Sequence, residues 1–336
     1  MMNTKNKKQM LYYLLCVLIF VCPTCSSSKK KGTLSDKSKL TRTAKPIQQY
    51  NFRVNFKAGE TYKYKFSIIQ SAIIQDNNTQ RNIDLGKMEY IQNMVVTNNK
   101  EHNYMMKIIF DKIKLELPPM PISEEYKKNL TEALQGLEMD LIITPKGKVV
   151  DAKVKENIYE LAADKMGVED SDFTTTARTM SEKMAQGTKD EFNQIFSFAD
   201  DKMRKVGDKW SKDTEYTLMN QEVIHITIKY EFKKLNTNKG IQLAYINFTV
   251  KKKFPGGFDV SKNLDEKAPS MQKFVSSTKL MDVFMSGTIV FNCNEKAIQK
   301  IQHTQIGTLE TMGAGTFYIQ KMKSTVNYTM TLLGTN

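Results

Sequence analysis

Lys57-Ala58-Gly59-Glu60-Thr61-Tyr62 recurs in altered form as Lys205-Val206-Gly207-Asp208-Lys209-Trp210. Both stretches run from a basic residue through glycine and an acid to an aromatic residue, and both lead into alternating apolar and polar residues. Glycine permits a turn with positive φ, and an aromatic residue can begin a strand that buries a large ring. Gly59 and Gly207 are therefore predicted to make turns at strand entries, with Tyr62 and Trp210 as core anchors.

A second pair of similar stretches has the same spacing. Leu141-Ile142-Ile143-Thr144 resembles Ile289-Val290-Phe291-Asn292, and the two lie 148 positions apart, as do Gly59 and Gly207. Two pairs of similar segments with the same spacing favour an internal duplication. The predicted fold is α+β and mainly antiparallel β, with two related β lobes and packed helices. Such lobes could form an open barrel.

Periodicity places the elements within these lobes. Phe52–Phe56 and Tyr62–Ile68 alternate apolar and polar residues, and the glycine turn between them predicts a hairpin. Pro255-Gly256-Gly257 is expected to end a strand, because proline cannot donate to a sheet ladder. Helical spacing predicts further helices over residues 123–136, 156–166 and 172–203 and within 264–284.

The amino terminus has the pattern of an export signal. Basic residues precede the apolar run Leu11–Val21, which is too short to span a bilayer. The following Cys22-Pro23-Thr24-Cys25-Ser26 is similar to the lipobox of bacterial lipoproteins, whose cysteine becomes lipidated after cleavage. Cys25 is the first candidate for lipidation and Cys22 the alternative, while an ordinary secretory signal cleaved nearby is the third interpretation.

The chain is accordingly divided into five parts: a signal peptide over 1–25, a flexible Ser/Lys/Thr-rich tether over 26–48, a first β lobe with one helix over 49–154, a helical connection over 155–204, and a second β lobe with one helix over 205–334. Three of the four cysteines lie in the leader. A core rather than disulfides must hold the fold. Cys293 is expected to be a half-buried strand residue.

The formal net charge is +14, and removal of the leader lysines leaves about +11. A basic chain can bind nucleic acid, but an exported protein rarely meets it, so no nucleic-acid partner is expected. Anionic lipid or another acidic envelope surface is the favoured partner, in addition to the membrane reached through the lipid anchor. A solvated basic face is the simpler alternative.

Three short segments carry a family resemblance: Gly59–Tyr64, Val206–Trp210 and Ser286–Phe291. In these the chain resembles the uncharacterised lipoproteins of Bacteroidetes grouped under a domain of unknown function of the DUF6263 type. The segment Asn292–Glu295 departs from the pattern, because it lacks the expected glycine turn. The resemblance implies a location in the cell envelope, on the periplasmic side or at the outer membrane. It brings no catalytic residue with it.

The sequence contains no pattern that specifies a reaction. A Gly-x-Ser-x-Gly elbow is absent, and His102, His225 and His303 lack the spacing of a helical zinc site. No catalytic, cofactor-binding or metal-binding residue is predicted, and no cofactor is expected. Whether the protein is an enzyme stays open, with a non-enzyme favoured, since a pair of acids brought together by the fold could still act as in glycosidases.

Three functions follow from these observations. The first is a membrane-anchored, non-enzymatic binding or structural module of the envelope. The second is a carrier of a lipid or other apolar ligand, held in a groove between sheet and helices; lipoprotein-sorting carriers combine a half-open barrel with helices in this way. The third is a hydrolase of envelope polymers, which needs a cleft with two facing carboxylates.

Overall fold

The structure, a computed structural model, describes residues 48–76, 79–100, 103–116, 128, 131–132, 135–154, 186, 188–217, 223–259, 278–312 and 319–336. Within these ranges eleven strands and a helix α1 over 188–196 are present. The strands are β1 Thr61–Asp76, β2 Thr79–Lys100, β3 Asn103–Glu116, β4 Glu138–Ile143, β5 Val149–Val154, β6 Lys209–Thr217, β7 Val223–Asn238, β8 Ile241–Asp259, β9 Thr278–Asn292, β10 Ala297–Met312 and β11 Ile319–Thr335.

All eleven strands belong to one antiparallel sheet in the order β5-β4-β3-β2-β1-β11-β10-β9-β8-β7-β6. It consists of two runs of five sequential strands, β1–β5 and β6–β10, joined through β11. The prediction of a mainly antiparallel β fold is confirmed. The α+β label fits only loosely, because α1 is the one long helical stretch in the described part of the chain. Both predicted lobes, 49–154 and 205–334, contribute strands to this single sheet.

One face of the sheet is buried, as period-two alternation requires. On β1 the inward residues Tyr62, Tyr64, Phe66 and Ile68 are all at most 3% exposed. Their partners across β2 and β11 continue the same apolar face, with Phe66 paired to Tyr90 on one side and Met330 on the other. This inner face is the sheet's contribution to the core.

The segment over residues 50–56 crosses the inner face and shows that the sheet is curved. Phe52 contacts rings from β6, β7 and β9, whereas Phe56 contacts rings from β1 and β3. Two residues four apart in an extended segment lie only about 13 Å from each other. Strands from both halves of the sheet must therefore wrap towards this segment.

The expected hairpin between Phe52–Phe56 and Tyr62–Ile68 is wrong. Both edges of β1 are occupied by β2 and β11, so β1 has no free edge for the preceding segment. The extended segment bonds to loops instead: Tyr50 pairs with Arg204, and the amides of Val54 and Asn55 donate to the carbonyls of Pro145 and Lys296. We call this end of the sheet, formed by residues 57–60, 144–148, 201–208, 238–241 and 293–296, the base.

The two glycine motifs make the same turn at the base. Gly59 has φ of 86° and Gly207 has φ of 96°. The Gly59 amide donates to the carbonyl of Val96 on β2, and the Gly207 amide donates to that of Phe232 on β7, both at 2.8 Å. In each case the strand residue's own amide donates back, at 2.9 Å, to the carbonyl of the residue after the glycine.

Two further local predictions need correction. The helix expected within 264–284 does not reach its predicted end, because β9 begins at Thr278; residues 260–277 lie outside the described ranges. Pro255-Gly256-Gly257 does not end a strand, since β8 runs through it to Asp259. The pairing with β9 is irregular between Lys253 and Phe258, and a bulge of this kind accommodates a proline that cannot donate.

The predicted helices lie largely outside the described residues. Of the one over 123–136, residues 128 and 131–132 are helical; the helix over 156–166 is wholly outside. The helix expected over 172–203 is described from residue 186 and ends at 196 rather than 203. The chain then turns so that Phe198 and Ala199 enter the core, each at most 1% exposed. In the described ranges, no helix is long and apolar enough to cross a membrane.

Candidate functional site

A histidine and a tyrosine stack on the inner face in the middle of the sheet. His303 on β10 is paired in register with Tyr328 on β11. Their ring centroids are 4.6 Å apart and the ring planes differ by 13°. On the other side of His303 the partner in β9 is Gly287, whose missing side chain leaves room for Phe248 of β8 to approach the imidazole at 5.9 Å.

His303 is enclosed without hydrogen-bond partners. Its exposure is 7%, and neither Nδ1 nor Nε2 has a partner among the described residues. Burial lowers the pKa of His303 to about 3, so the imidazole is neutral near pH 7 and presents one donor and one acceptor. Each buried polar group left unpaired costs about 1–3 kcal/mol. Packing alone does not explain why a histidine occupies this position despite that cost.

Glu191 of α1 brings a carboxyl to the same region. Burial raises the pKa of Glu191 to about 7, and the nearby Tyr328 hydroxyl acts in the opposite direction. The side chain keeps some solvent contact, but protein atoms crowd around its carboxyl and disfavour the charge. The charge of Glu191 also raises the pKa of Tyr328, to which burial contributes more. Burial thus favours the protonated, neutral carboxyl of Glu191 compared with an ordinary glutamate.

Two buried side-chain amides, those of Gln305 and Gln92, also lie on the inner face. Gln305 lies two positions beyond His303 on β10 and is 1% exposed, and its Oε1 has no partner among the described residues. The same is true of Oε1 of Gln92 on β2, at 2% exposure. We define the inner polar cluster as Glu191, His303, Gln305 and Tyr328. It can donate to and accept from a neutral polar group.

A small cavity adjoins the inner polar cluster. Its volume is about 20 Å³, and its walls include Glu191, Ile195, Tyr230, Met285, His303 and Tyr328. A site of this size has room for about one water molecule. An acyl chain does not fit in a cavity of this volume.

The geometry restricts the chemistry. Among the described residues that line this cavity, Glu191 is the one carboxylate, whereas a glycosidase site needs two facing carboxyl groups. No group of three or more His, Cys, Asp or Glu side chains placed to hold a metal ion exists in the described ranges. Cys293 lies directly after β9 and is 7% exposed; burial raises the pKa of its thiol to about 11, which disfavours the thiolate.

The residues singled out from sequence lie away from this cluster. Gly59, Tyr62, Gly207 and Trp210 are at the base, and Cys25 and its alternative Cys22 lie outside the described residues. Tyr62 is 3% exposed, and its hydroxyl donates to Glu60 at 2.7 Å.

Trp210 is only half-buried. It is stacked between Phe52 and Tyr230, with the Arg204 guanidinium 4.3 Å from its ring.

Two residues of the inner polar cluster could have been found from alternation. His303 and Gln305 have the same parity along β10 as the apolar residues Ile301 and Leu309, which indicates the buried face. His225, by contrast, alternates with apolar neighbours on β7 and its side chain is 75% exposed. Glu191 carried no such signal, because its placement depends on which side of α1 meets the sheet.

Comparisons with known proteins add little to this geometry. No protein-family profile and no curated protein matches the chain. A structure described as showing lipid–protein interactions in lipovitellin is similar over 84% of this chain and 26% of that chain, with 10% identity and a TM-score of 0.40; the chain thus spans about a quarter of that protein.

Bacterial outer-membrane proteins are more distant. The alignment with an outer membrane channel of Pseudomonas putida F1 includes 84% of this chain and 98% of the channel, with 5% identity and a TM-score of 0.17. The alignment with Ail, the attachment invasion locus protein of Yersinia pestis, includes 81% of this chain and 99% of Ail, with 4% identity and a TM-score of 0.13. At these TM-scores the similarities carry no argument about fold or function.

Proposed function

We propose that this protein is a lipid-anchored component of the bacterial cell envelope that acts as a non-enzymatic binding module. The leader with Cys25 supports the anchor, and the tether over 26–48 supports a folded part held near a membrane. The inner polar cluster supports binding. The observation that carries the proposal is the burial of His303, whose two ring nitrogens have no hydrogen-bond partner among the described residues.

The partnerless polar atoms point to an occupant. A core that only needed to be stable would gain from apolar residues at these positions, since unpaired buried polar groups destabilise a fold. A bound polar group in the cavity would satisfy His303, whose two ring nitrogens have no partner among the described residues. The module thus has a place for a neutral hydroxyl or amide group of a ligand.

A carrier of an amphiphile is the second candidate. It is favoured by the apolar walls around the inner polar cluster, which would suit a chain attached to the polar group. The cavity of about 20 Å³ accepts no chain in the present conformation, so binding would require α1 to leave the inner face. The hydrolase alternative lacks support in the described part of the chain, where no second carboxylate lines the cavity opposite Glu191.

We also propose that the two halves arose by duplication, as two related lobes over 49–154 and 205–334 within one curved, open sheet. Support comes from the matching hydrogen bonds at Gly59 and Gly207 and from the identical sequential order of β1–β5 and β6–β10. The resemblance to envelope lipoproteins of the DUF6263 type also belongs to this proposal.

The binding proposal can be tested with matched histidine variants. The full-length protein, extracted from bacterial membranes and released from detergent, would be examined by native mass spectrometry for co-purified small molecules. His303→Leu should lose the bound molecule, whereas His225→Leu, the same change at an exposed position, should keep it. Equal ligand content in both variants, or a wild-type protein that carries none, would contradict the proposal.

The anchor is tested separately. Cys25→Ala should release the protein from the membrane fraction, and Cys22→Ala should leave it there. The opposite result would assign the lipid to Cys22. Release by neither substitution would exclude both cysteines as the anchor.

A further inference from the structure

Exposed apolar side chains are concentrated at the base. Seven large hydrophobic side chains are exposed among the described residues, and five of them are at the base or on the strand ends beside it. These five are Val150, Met203, Val206, Ile241 and Leu333. Met203 and Val206 are 54% and 49% exposed within the loop over 201–208, and Ile241 is 45% exposed at the turn between β7 and β8.

Lysines without ion-pair partners surround these apolar residues. Lys202 and Lys205 flank Met203 in the same loop, and Lys148 and Lys239 lie in neighbouring turns. All four are exposed, and none takes part in the salt bridges formed by the described residues. Exposed apolar groups next to free cations match a bilayer surface, where side chains enter the headgroup layer and lysines meet lipid phosphates.

Two of the four acids at the base are held in ion pairs. Asp201 is held by Arg53 at 3.3 Å and by Lys146 at 2.6 Å, and Glu60 by Lys57 at 2.9 Å. Glu295 is exposed and accepts hydrogen bonds from Asn292 and Gln299. Asp208 accepts a hydrogen bond from the Lys205 backbone amide at 2.9 Å. The base contains eight Lys and Arg residues against four acids, so the net field at this end is positive, which favours an anionic partner.

The chain also enters the fold at this end. Tyr50 exchanges backbone hydrogen bonds of 2.8 Å and 2.7 Å with Arg204, which lies between Met203 and Lys205. The tether thus joins the folded part beside the exposed loop. Twenty-two residues separate Cys25 from Gln48, and a Gly/Ser-rich linker of that length would have a root-mean-square reach of about 25 Å. An anchor at Cys25 would hold the base within a short distance of the bilayer.

We propose that the base is a docking surface for an anionic phospholipid membrane, with Met203, Val206 and Ile241 entering the headgroup layer and Lys148, Lys202, Lys205 and Lys239 contacting lipid phosphates. The proposal rests on the proposed envelope location and anchor. The opposite end of the sheet then faces away from the membrane. The inner polar cluster remains in the middle of the sheet, above the docked base.

The test uses the full-length protein reconstituted in two kinds of vesicle, one containing phosphatidylglycerol and one of phosphatidylcholine alone. Lysine acetylation and methionine oxidation are read by peptide mass spectrometry. Lys205, Lys239 and Met203 should be protected severalfold in the anionic vesicles relative to the neutral ones. Lys112 and Lys253, exposed lysines on the strand portions remote from the base, should react equally in both. Equal labelling of the base in both vesicles would overturn the proposal.

Charge variants provide the second measurement. Lys202→Glu with Lys205→Glu should abolish the protection of Met203, whereas Lys112→Glu with Lys253→Glu, the same change in net charge, should preserve it. Each lysine at an anionic surface contributes roughly fivefold in affinity, so the base variant should bind at least about tenfold more weakly. Indistinguishable behaviour of the two double variants would reject docking through the base.

Failure of the anchor and failure of docking give different results. If the protein lacks a lipid anchor, the Cys25→Ala variant will fractionate as the wild type does, but both should still co-sediment with anionic vesicles and be released by salt. If docking is wrong, the wild-type protein will stay membrane-bound through its anchor while its base remains fully labelled.

Discussion

His303 and Tyr328 stack face to face on adjacent strands, with centroids 4.6 Å apart, and Glu191 approaches the same tyrosine from α1. Two titratable groups with oppositely shifted equilibria are thus placed around one aromatic ring. The pKa of Glu191 is raised to about 7 and that of His303 is lowered to about 3, in both cases by burial. Their contributions to stability therefore change with pH in opposite directions.

The first prediction concerns Glu191. Between its ordinary pKa of 4.5 and the folded-state pKa of about 7, the folded state keeps a proton that the unfolded state has lost, so stability falls as pH rises. Glu191→Gln removes this term. As the pH is raised from 4.5 to about 7, wild type loses stability that the variant keeps. The difference in unfolding free energy, variant minus wild type, should therefore increase by up to about 3 kcal/mol. Urea unfolding at several pH values measures it, and a difference that does not change with pH would contradict the burial of this carboxyl.

The second prediction concerns His303, whose burial lowers stability as the pH falls rather than as it rises. Below the ordinary histidine pKa of 6.5 the unfolded state binds a proton that the folded state refuses, so stability is lost as pH falls towards 3. His303→Leu should therefore gain up to about 3 kcal/mol over wild type when the pH is lowered from about 6.5 to about 4.5. His225→Leu, the same change at an exposed position, serves as the control. Equal slopes for the two variants would mean that His303 is accessible to water.

The third prediction separates two roles of glycine. Gly59→Ala and Gly207→Ala place a Cβ in open space but at φ of 86° and 96°, so each should cost only about 1–2 kcal/mol of backbone strain.

Gly287→Ala is expected to destabilise the fold by a different route. An added Cβ would lie 2.4 Å from the His303 Cβ and 2.5 Å from the Gln302 carbonyl oxygen. A clash with strand backbone is not relieved by a rotamer change, and about 2–3 kcal/mol is expected. Gly334→Ala, which meets nothing within 4 Å, serves as the control. If Gly287→Ala melts at the temperature of the control, the close packing of β9 against β10 is wrong.

The sequence predicted local features better than distant partners. Alternation identified the antiparallel strands, and glycine chemistry placed the turns at Gly59 and Gly207. Neither signal could show that β1 pairs with β11, because the partner of Tyr62 is Thr335, near the other end of the chain. The wrong hairpin followed from assuming that neighbours in sequence pair. The end of the helix expected within 264–284 failed for a related reason, because Leu280 and Phe284 fit helical spacing but lie on β9.

The site was harder to predict than the fold. His303 shares the parity of buried residues on β10, yet parity does not say whether a polar residue is covered. Its burial depends on α1 and on the ring of Tyr328, which come from other parts of the sequence. The positive end of the molecule was likewise visible only as net charge until the turns carrying Lys148, Lys205 and Lys239 were brought together at the base.

The fourth prediction concerns Trp210, the one tryptophan of the chain. Truncation of a fully buried aromatic residue costs about 3–5 kcal/mol. Trp210 is half-buried, and its Nε1 has no partner in the described part of the chain, so Trp210→Ala should cost less, about 2–3 kcal/mol. Trp210→Phe keeps the stacking on Phe52 and Tyr230 and should cost about 1 kcal/mol. If the alanine and phenylalanine variants unfold at the same denaturant concentration, the stacked rings do not stabilise the base.

The last prediction concerns Cys293, whose thiol is buried at the base. Only the thiolate reacts rapidly with disulfide reagents, and burial raises the pKa of Cys293 to about 11. In the folded protein, the peptide containing Cys293 should therefore resist labelling at about pH 8, and it should be labelled at once in denaturant. Val150→Cys, at an exposed edge-strand position, provides a reactive control in the same protein. If Cys293 reacts as fast as this control under native conditions, the turn after β9 opens far more readily than its hydrogen bonds to Gln242 indicate.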